Sequence, residues 1–360
     1  MKSIKELKKV FNGKKVLITG HTGFKGSWLS IVLHHLGANI AGVSIDCKTD
    51  KGPYNSCKMN EKISYDERLD ICNKKSLNEL INKFEPDFIF HLAAQALVSK
   101  SYNNPSETIL TNAIGTLNLL EVIKNVNKKI SIVLITSDKC YENIETFYGY
   151  KETDQLGGKD PYSASKACAE IIANSYIRSI FFSKDNINIA TARAGNVIGG
   201  GDWSENRLIP DAVTCWQNNQ VLEIRNPFST RPWQHVLEPI LGYLELACHI
   251  NENKLKGKEL SGNSFNFGPR QVDILTVENV IKNFCKIWGY SKYKISKNYH
   301  FEEAGLLNLC CDKANKILNW YPRLSIDEAL LLTSSWYKEQ NKSADMYEFT
   351  VNQIEYFLKK

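Results

Sequence analysis

Tyr162-Ser-Ala-Ser-Lys166 sets a phenol and an ammonium one helical turn apart, at the start of a helical pattern that begins near Pro161. On a helix the two side chains share a face. A cation beside a phenol stabilises the phenolate and lowers its pKa toward the working pH, so that the oxygen can take a proton from a hydroxyl. Alone, such a pair is most often an ordinary surface pair. A second group changes that weighting: Thr136-Ser137-Asp138-Lys139-Cys140-Tyr141 follows the apolar run Ile130–Thr136, so hydroxyl, carboxyl and amine side chains stand together where a strand ends. These polar residues do not suit a core, and the plain alternative is a solvated loop with an Asp–Lys ion pair. Third, the strand-like Lys15–Thr19 runs into Gly20-His-Thr-Gly23-Phe-Lys-Gly26 and then a helix. Backbone N–H groups and the positive end of a helix dipole at such a turn receive a pyrophosphate, and side chains in place of the glycines would block it. Glycines also mark ordinary tight turns, so the motif gains weight from Asp46, at the end of the next strand and about 20 residues on. An acid there accepts hydrogen bonds from an adenosine ribose and repels a 2′-phosphate, which favours NAD over NADP, with Lys48 and Lys51 nearby as opposing charges.

These groups must be positioned by elements, and from Lys14 to Arg193 the chain alternates short β-branched runs with longer amphipathic stretches. That is the pattern of strands joined by crossover helices. It predicts strands at Lys15–Thr19, Asn39–Ile45, Asp87–Leu92, Ser131–Thr136 and Ile187–Arg193, with helices at Phe24–Leu36, Ser76–Phe84, Pro105–Lys124 and Pro161–Phe182. The class is α/β, a Rossmann-type doubly wound parallel sheet whose carboxyl edge collects all three motifs. Beyond Gly195 the chain becomes rich in Gly, Pro and Trp, with a helix near Leu208–Gln217 and a second loop, Asn226–Trp233, containing Pro227, Arg231 and Pro232. Such loops bind ligands more often than they build a core. A helix at Val236–Asn251 and a strand at Ser264–Phe267 are expected to rejoin the sheet. Residues 1–205, rejoined by about 236–268, then form the cofactor domain, and 206–235 with 269–360 form most of a smaller, interleaved substrate-binding domain.

The bulk properties exclude several classes. At 360 residues and 43% hydrophobic content the chain can bury one large or two smaller cores. Its longest apolar runs are strand-length, well short of the roughly 20 residues a membrane span needs. Met1–Phe11 is lysine-rich and lacks the apolar core of a secretory signal, so a cytoplasmic protein is expected. The net charge of +6 is spread along the chain, without the basic stripe and interleaved aromatics of a nucleic-acid binder. The ten cysteines fall mostly in apolar patterns and form no Cys-x-x-Cys pair. They read as small hydrophobes, with Cys310 and Cys311 on opposite sides of a strand, and no metal is expected.

Seven segments together resemble the CDP-glucose 4,6-dehydratases of the extended short-chain dehydrogenase superfamily: TGHTGFKGSWL (Thr19–Leu29), LAAQALV (Leu92–Val98), TSDKCY (Thr136–Tyr141), Tyr162 to Lys166, RAGNVIGGGDW (Arg193–Trp203), RLIPD (Arg207–Asp211) and RPWQHVLEP (Arg231–Pro239). The resemblance runs from about Phe11 to about Leu332. The glycines and the Tyr–Lys pair mark only the superfamily, whereas Ser137-Asp138-Lys139 and RPWQHVLEP are more specific.

The resemblance implies a dehydratase that oxidises a sugar at C4 with NAD, removes the C5 proton, expels the C6 hydroxyl and returns the hydride to C6. It implies Tyr162 as the base at O4, oriented by Lys166 and Ser137, and Asp138 as the acid at O6 provided its surroundings keep it protonated. Lys139 stands where related dTDP-glucose dehydratases have glutamate. It is either the C5 base, with a strongly depressed pKa, or a cation that stabilises the enolate. By the same matching, Gly20, Thr22, Gly23, Phe24, Lys25, Gly26, Asp46, Asp70, Ile71, Leu92, Ala93, Ala94, Gln95, Asn112, Tyr162 and Lys166 line the cofactor. Asn196, Arg207, Arg231 and His235 surround the nucleotide diphosphate, for which an arginine fork is well shaped. Ser99, Asn308 and Cys310 depart from the family pattern and bear on the choice of nucleotide base. A homodimer or higher homo-oligomer serving deoxysugar biosynthesis is implied, with a nucleotide-sugar substrate and neither membrane nor nucleic acid as partner. A 4-epimerase on the same scaffold needs only the Tyr–Lys pair, so Asp138-Lys139 favours elimination. A catalytically silent NAD or sugar-nucleotide binder would not need Ser137, Tyr162 and Lys166.

Overall fold

Lys15–Thr19, Phe88–His91 and Ile130–Ile135 are almost continuously apolar, and strands of that kind need helices on both faces. The computed structural model describes residues 1–47, 49–146, 148–252, 263–289, 291–296, 305–343 and 345–360. It answers that need with a seven-stranded sheet of β1 (Lys15–Thr19), β2 (Asn39–Ser44), β3 (Tyr65–Arg68), β4 (Phe88–His91), β5 (Ile130–Ile135), β6 (Ile187–Ala194) and β7 (Ser264–Phe267). The spatial order is β7-β6-β5-β4-β1-β2-β3, every pair is parallel, and Thr19 sits opposite both Val43 and His91. Their carboxyl ends therefore share one edge. Side chains alternate between two cores: Val16, Ile18, Phe90 and Val133 face one, Leu17, Ile89, Ile132 and Leu134 the other. The first core is closed by helices Phe24–His35, Leu237–Glu252 and Ile326–Gln340, the second by Lys74–Phe84, Gly115–Ile123 and Pro161–Arg178.

Beyond β6, three short strand pairs stitch the later chain together: Val197–Ile198 with Gln234–His235, Thr230–Arg231 with Leu275–Thr276, and Leu222–Ile224 with Tyr293–Ile295. Trp336 closes the glycine-rich loop from outside, so near that a Cβ on Gly200 would enter its indole.

The structure departs from the sequence reading in five places. The strand β3 was not expected, because Tyr-Asp-Glu-Arg is short, polar and at the sheet edge. The helix expected at Pro105–Lys124 contains a π-helical turn, Leu110–Ile114. The helix from Pro161 ends at Arg178 rather than Phe182. Ile4–Phe11 is an amphipathic helix with a Ser3/Glu6 capping box, burying Leu7 and Phe11. Cys310 and Cys311 lie in no strand, and the helix Asp312–Leu318 starts directly after them. Lys48 lies outside the described residues.

Candidate active site

The glycine turn is shaped by close approach. Gly20 adopts φ +76, donates to the Val43 carbonyl at 2.6 Å, and sits where a Cβ would lie 2.8 Å from Ala93 N. A Cβ on Gly26 would strike the Gly20 carbonyl. Gly23 is the N-cap of helix Phe24–His35 and supplies no side-chain cap, which leaves the first-turn N–H groups as a cradle for a pyrophosphate. The Thr22 hydroxyl donates to the Asp46 carbonyl at 2.5 Å, tying the turn to the end of β2, where Asp46 is exposed. Lys51 holds its ammonium over the Trp203 ring, 5.4 Å from the centroid. Phe24 packs toward Gly199. Lys25 is half-buried, and its ammonium is lowered to about 8 by burial first and then by Arg207 and Lys166, against Asp138 and Asp202. It therefore stands between the glycine turn and the catalytic residues.

Along the same edge, Asp70 is exposed and its carboxylate accepts the Cys72 N–H at 2.8 Å, while Ile71 is buried against Gly115. Leu92, Ala93 and Ala94 are half-buried after β4, where Ala93 N donates to the Thr19 hydroxyl at 3.2 Å. Asn112 accepts from Gln95 N at 2.8 Å and donates to the Gln95 carbonyl at 3.0 Å and to Ser165 Oγ at 2.8 Å. Ser165 in turn donates to the Tyr162 carbonyl. The π turn, a feature often found at functional sites, contains Asn112 and so joins the cofactor loop to the Tyr162 helix.

Ser137 donates to Asp138 Oδ1 at 2.9 Å and accepts from Lys139 N at 3.2 Å. It also lies near enough to the Tyr162 phenol to lower its pKa. Burial pushes that phenol up to about 12, with Ser137 and Arg207 lowering it and Asp138 and Asp160 raising it. The sequence reading expected Lys166 to lower it. Instead desolvation dominates, and Lys166, buried itself, is lowered to about 8 by the same cause, with Cys140 and Glu170 as its charge partners. Asp138 is buried and raised by burial, against Lys139, Ser137, Lys25 and Arg231. Lys139 is half-buried on the same turn.

On the substrate side, Arg207 Nη1 pairs with the buried Asp202 carboxylate at 2.9 Å, and Tyr337 donates to the Asp202 carbonyl at 2.5 Å. Arg231 is buried, donates to the Thr230 carbonyl at 2.8 Å and acts electrostatically on Asp138. The half-buried Asn196 accepts from Gln234 N at 3.0 Å. His235 does not join them. It is fully buried, edge-on to Trp28 at 5.8 Å, and lowered to about 3 by burial.

Sequence reading missed the pair beneath the site. Arg193 Nη2 meets Glu170 Oε2 at 2.8 Å, both side chains fully buried. Glu170 also accepts from Thr136 at 2.5 Å and Thr191 at 2.9 Å, and Arg193 donates to the Tyr141 hydroxyl at 2.8 Å and the Glu152 carbonyl at 3.1 Å. The available signal was an arginine inside the apolar run of β6 and a glutamate one turn past Lys166. Among the described residues no cluster of three or more His, Cys, Asp or Glu side chains could hold a metal, and no helix is long and apolar enough to cross a membrane.

Residues 17–332 match the GDP-mannose 4,6-dehydratase family. The chain is 42% identical to the CDP-glucose 4,6-dehydratase of Salmonella typhimurium, with 94% of each chain covered. Its fold is similar to that of a dTDP-glucose 4,6-dehydratase from Bacillus anthracis solved in complex with NAD, at TM-score 0.72 and 22% identity over 92% of this chain and 99% of that one. It is also similar to a UDP-glucose 4-epimerase from Thermotoga maritima solved with UDP-glucose, at TM-score 0.76 and 21% identity over 91% and 100%.

Proposed function

The chain belongs to the GDP-mannose 4,6-dehydratase family, and we propose that it converts CDP-glucose to its 4-keto-6-deoxy form with NAD. The supporting observation is Asp138, a buried carboxyl shifted toward its protonated form and hydrogen-bonded to Ser137, which in turn lowers the Tyr162 phenol. Epimerisation at C4 has no use for such an acid. The substrate is taken from the Salmonella typhimurium enzyme, to which the chain is 42% identical.

Gly20, Gly23 and Gly26 cradle the cofactor pyrophosphate, Asp46 takes the adenosine ribose, Asp70 and Ile71 flank the adenine, and Leu92 to Gln95 line the remainder. NAD supplies a hydride acceptor for C4 and a hydride donor for C6, and in its oxidised form brings a positive charge into the site. Tyr162 takes the O4 proton, with Ser137 and Arg207 favouring the phenolate and Lys166 one helical turn away. Asp138 gives its proton to the departing C6 hydroxyl, which leaves as water. Lys139 serves C5, either as the base or as the cation that stabilises the enolate, and exchange of the C5 proton with deuterated solvent separates the two. Arg207 and Arg231, with Asn196, receive the diphosphate. Residues 206–235 and 269–360 supply most of the sugar-nucleotide side, and 1–205 with 236–268 the cofactor side.

We further assign the protein to the cytoplasm as a homodimer. Exposed Ile109, Leu110 and Ile114 on one helix and Ile171 on the neighbouring Pro161–Arg178 helix form an apolar face suited to a second copy.

The acid is tested by Asp138→Asn. With CDP-glucose this variant is expected to complete the first oxidation, accumulate NADH and release no 4-keto-6-deoxy product. Dehydration at the normal rate would remove Asp138 from the role.

A further inference from the structure

At the ribose position of a dinucleotide site an acid suits NAD, whereas a cation suits the 2′-phosphate of NADP. Around the carboxyl ends of β2 and β3 the chain has both kinds, and the structure treats them differently. Arg68, opposite Ser44 in the sheet, places Nη1 2.6 Å from Asp66 Oδ1 and Nη2 3.0 Å from Asp66 Oδ2, while Tyr54 and His21 bond the same carboxylate at 2.6 and 2.7 Å. That guanidinium is committed. Lys51 is held twice by Trp203: the indole Nε1 donates to the Lys51 carbonyl at 2.8 Å, and the ring lies under the Lys51 ammonium, 5.4 Å from centroid to nitrogen. Gln340 and Ser56 donate to the same carbonyl at 2.6 and 3.3 Å. Asp46 is exposed, and it is the Asp46 carbonyl that takes the Thr22 hydroxyl. Its carboxylate is left for a ligand.

From Ile45 to Lys51 no described side chain is buried, so hydrogen bonds rather than apolar packing must shape this loop. Trp203, by contrast, extends from a firm base. The Asp202 carboxylate beside it pairs with Arg207 at 2.9 Å and accepts from Ser204 N at 3.1 Å, and Tyr337 lies edge-on to the indole, centroids 5.1 Å apart. A Cβ on Gly201 would lie 2.6 Å from Pro53, which seats the turn against the helix Pro53–Ser56 that follows the loop.

We propose that Trp203 is a specificity-determining residue for NAD over NADP: it ties down both the carbonyl and the ammonium of Lys51, so that the loop offers the ribose the Asp46 carboxylate and withholds the cation a 2′-phosphate would use. The inference rests on the reading of Asp46 as the ribose acid. Discrimination then has a repulsive part, Asp46, and a restraining part, Trp203.

Calorimetric titration of the protein with NAD and with NADP tests this without recourse to turnover. Trp203→Leu removes both holds and should shift the preference toward NADP by roughly fivefold, the worth of an exposed cation–π contact. Trp203→Phe keeps a ring against Tyr337 and loses only the N–H bond, so it should shift the preference the same way by a smaller factor. Lys51→Met alone should change the preference little, and in the Trp203→Leu background it should cancel the shift, since both act through one group. An unchanged preference in both Trp203 variants, even with both cofactors bound more weakly, would overturn the inference and leave the indole a packing role. A shift that survives Lys51→Met would overturn it too, by pointing to a different cation. Asp46→Ala is the control: an unchanged preference there would overturn the ribose reading and this inference together, whereas a narrowed one beside unaltered Trp203 variants would sink the inference alone.

Discussion

Lys166 shows how the site sets charge chemistry against folding. An ammonium buried to the point where its pKa falls from 10.5 to about 8 carries a penalty on the order of 3 kcal/mol at neutral pH. Between those values the unfolded chain holds a proton that the folded chain lacks, so this group makes stability rise with pH across that window, and below about 8 the full penalty applies. Lys166→Met should therefore raise the thermal midpoint at pH 7 while lowering turnover by roughly two or more orders of magnitude. It should also flatten the rise in stability across that alkaline window. Thermal unfolding at several pH values checks both, and a destabilised variant would contradict the burial argument. Residue types were well legible here: Ser137, Asp138, Tyr162 and Lys166 were all marked by spacing and position. Their electrostatics were not, because the phenol at about 12 reflects burial, which spacing does not encode. The complete burial of His235 was likewise not encoded by its place in the motif.

At the scale of elements, the catalytic edge is held by the Glu170–Arg193 pair rather than by its own loop. Glu170 belongs to the Tyr162 helix, Thr136 ends β5, and Thr191 and Arg193 belong to β6. One carboxylate thus fixes three elements that must agree for Tyr162 and Asp138 to meet. Removing one partner of a fully buried pair leaves an uncompensated charge, and Glu170→Ala should lose about 3–5 kcal/mol of stability, measured by denaturant unfolding. A loss within the range of surface substitutions would mean that the pair does not organise the edge. The sequence disclosed the elements themselves where apolar character and length were strong, as in β1, β4, β5 and the helix Phe24–His35. It concealed β3, whose polar residues have no apolar run to announce them, and the π turn, because an extra residue in a helical turn barely disturbs the apolar period. The Ser3/Glu6 capping box was readable but was overshadowed by the lysines around it.

At the scale of the whole molecule, the alternation of strands and helices specified the doubly wound sheet, and the motifs pointed to its carboxyl edge as the candidate site. The last strand of the sheet, β7, returns after an excursion of about seventy residues, and in Ser264–Phe267 two phenylalanines alternate with polar residues, the period of a strand. The C-terminal helices Val277–Trp288, Asp312–Leu318, Ile326–Gln340 and Tyr347–Lys359 had no chemical motif to place them. They serve the site by packing, as Trp336 does against Gly200. The exposed apolar face across Leu110 and Ile171 leads to a further expectation: Ile171→Asp should halve the particle mass in sedimentation while leaving the folded protomer intact. An unchanged mass would place any self-association elsewhere. The central claim, elimination of water from a CDP-linked glucose, is tested most directly by incubating the wild-type protein and NAD with CDP-, UDP-, dTDP- and GDP-linked hexoses and weighing the products by mass spectrometry. The account expects CDP-glucose to lose the mass of one water, faster than any other sugar nucleotide, and to yield a 4-keto-6-deoxy product. A product of unchanged mass with C4 inverted, or no reaction with CDP-glucose beside rapid dehydration of another sugar nucleotide, would contradict it.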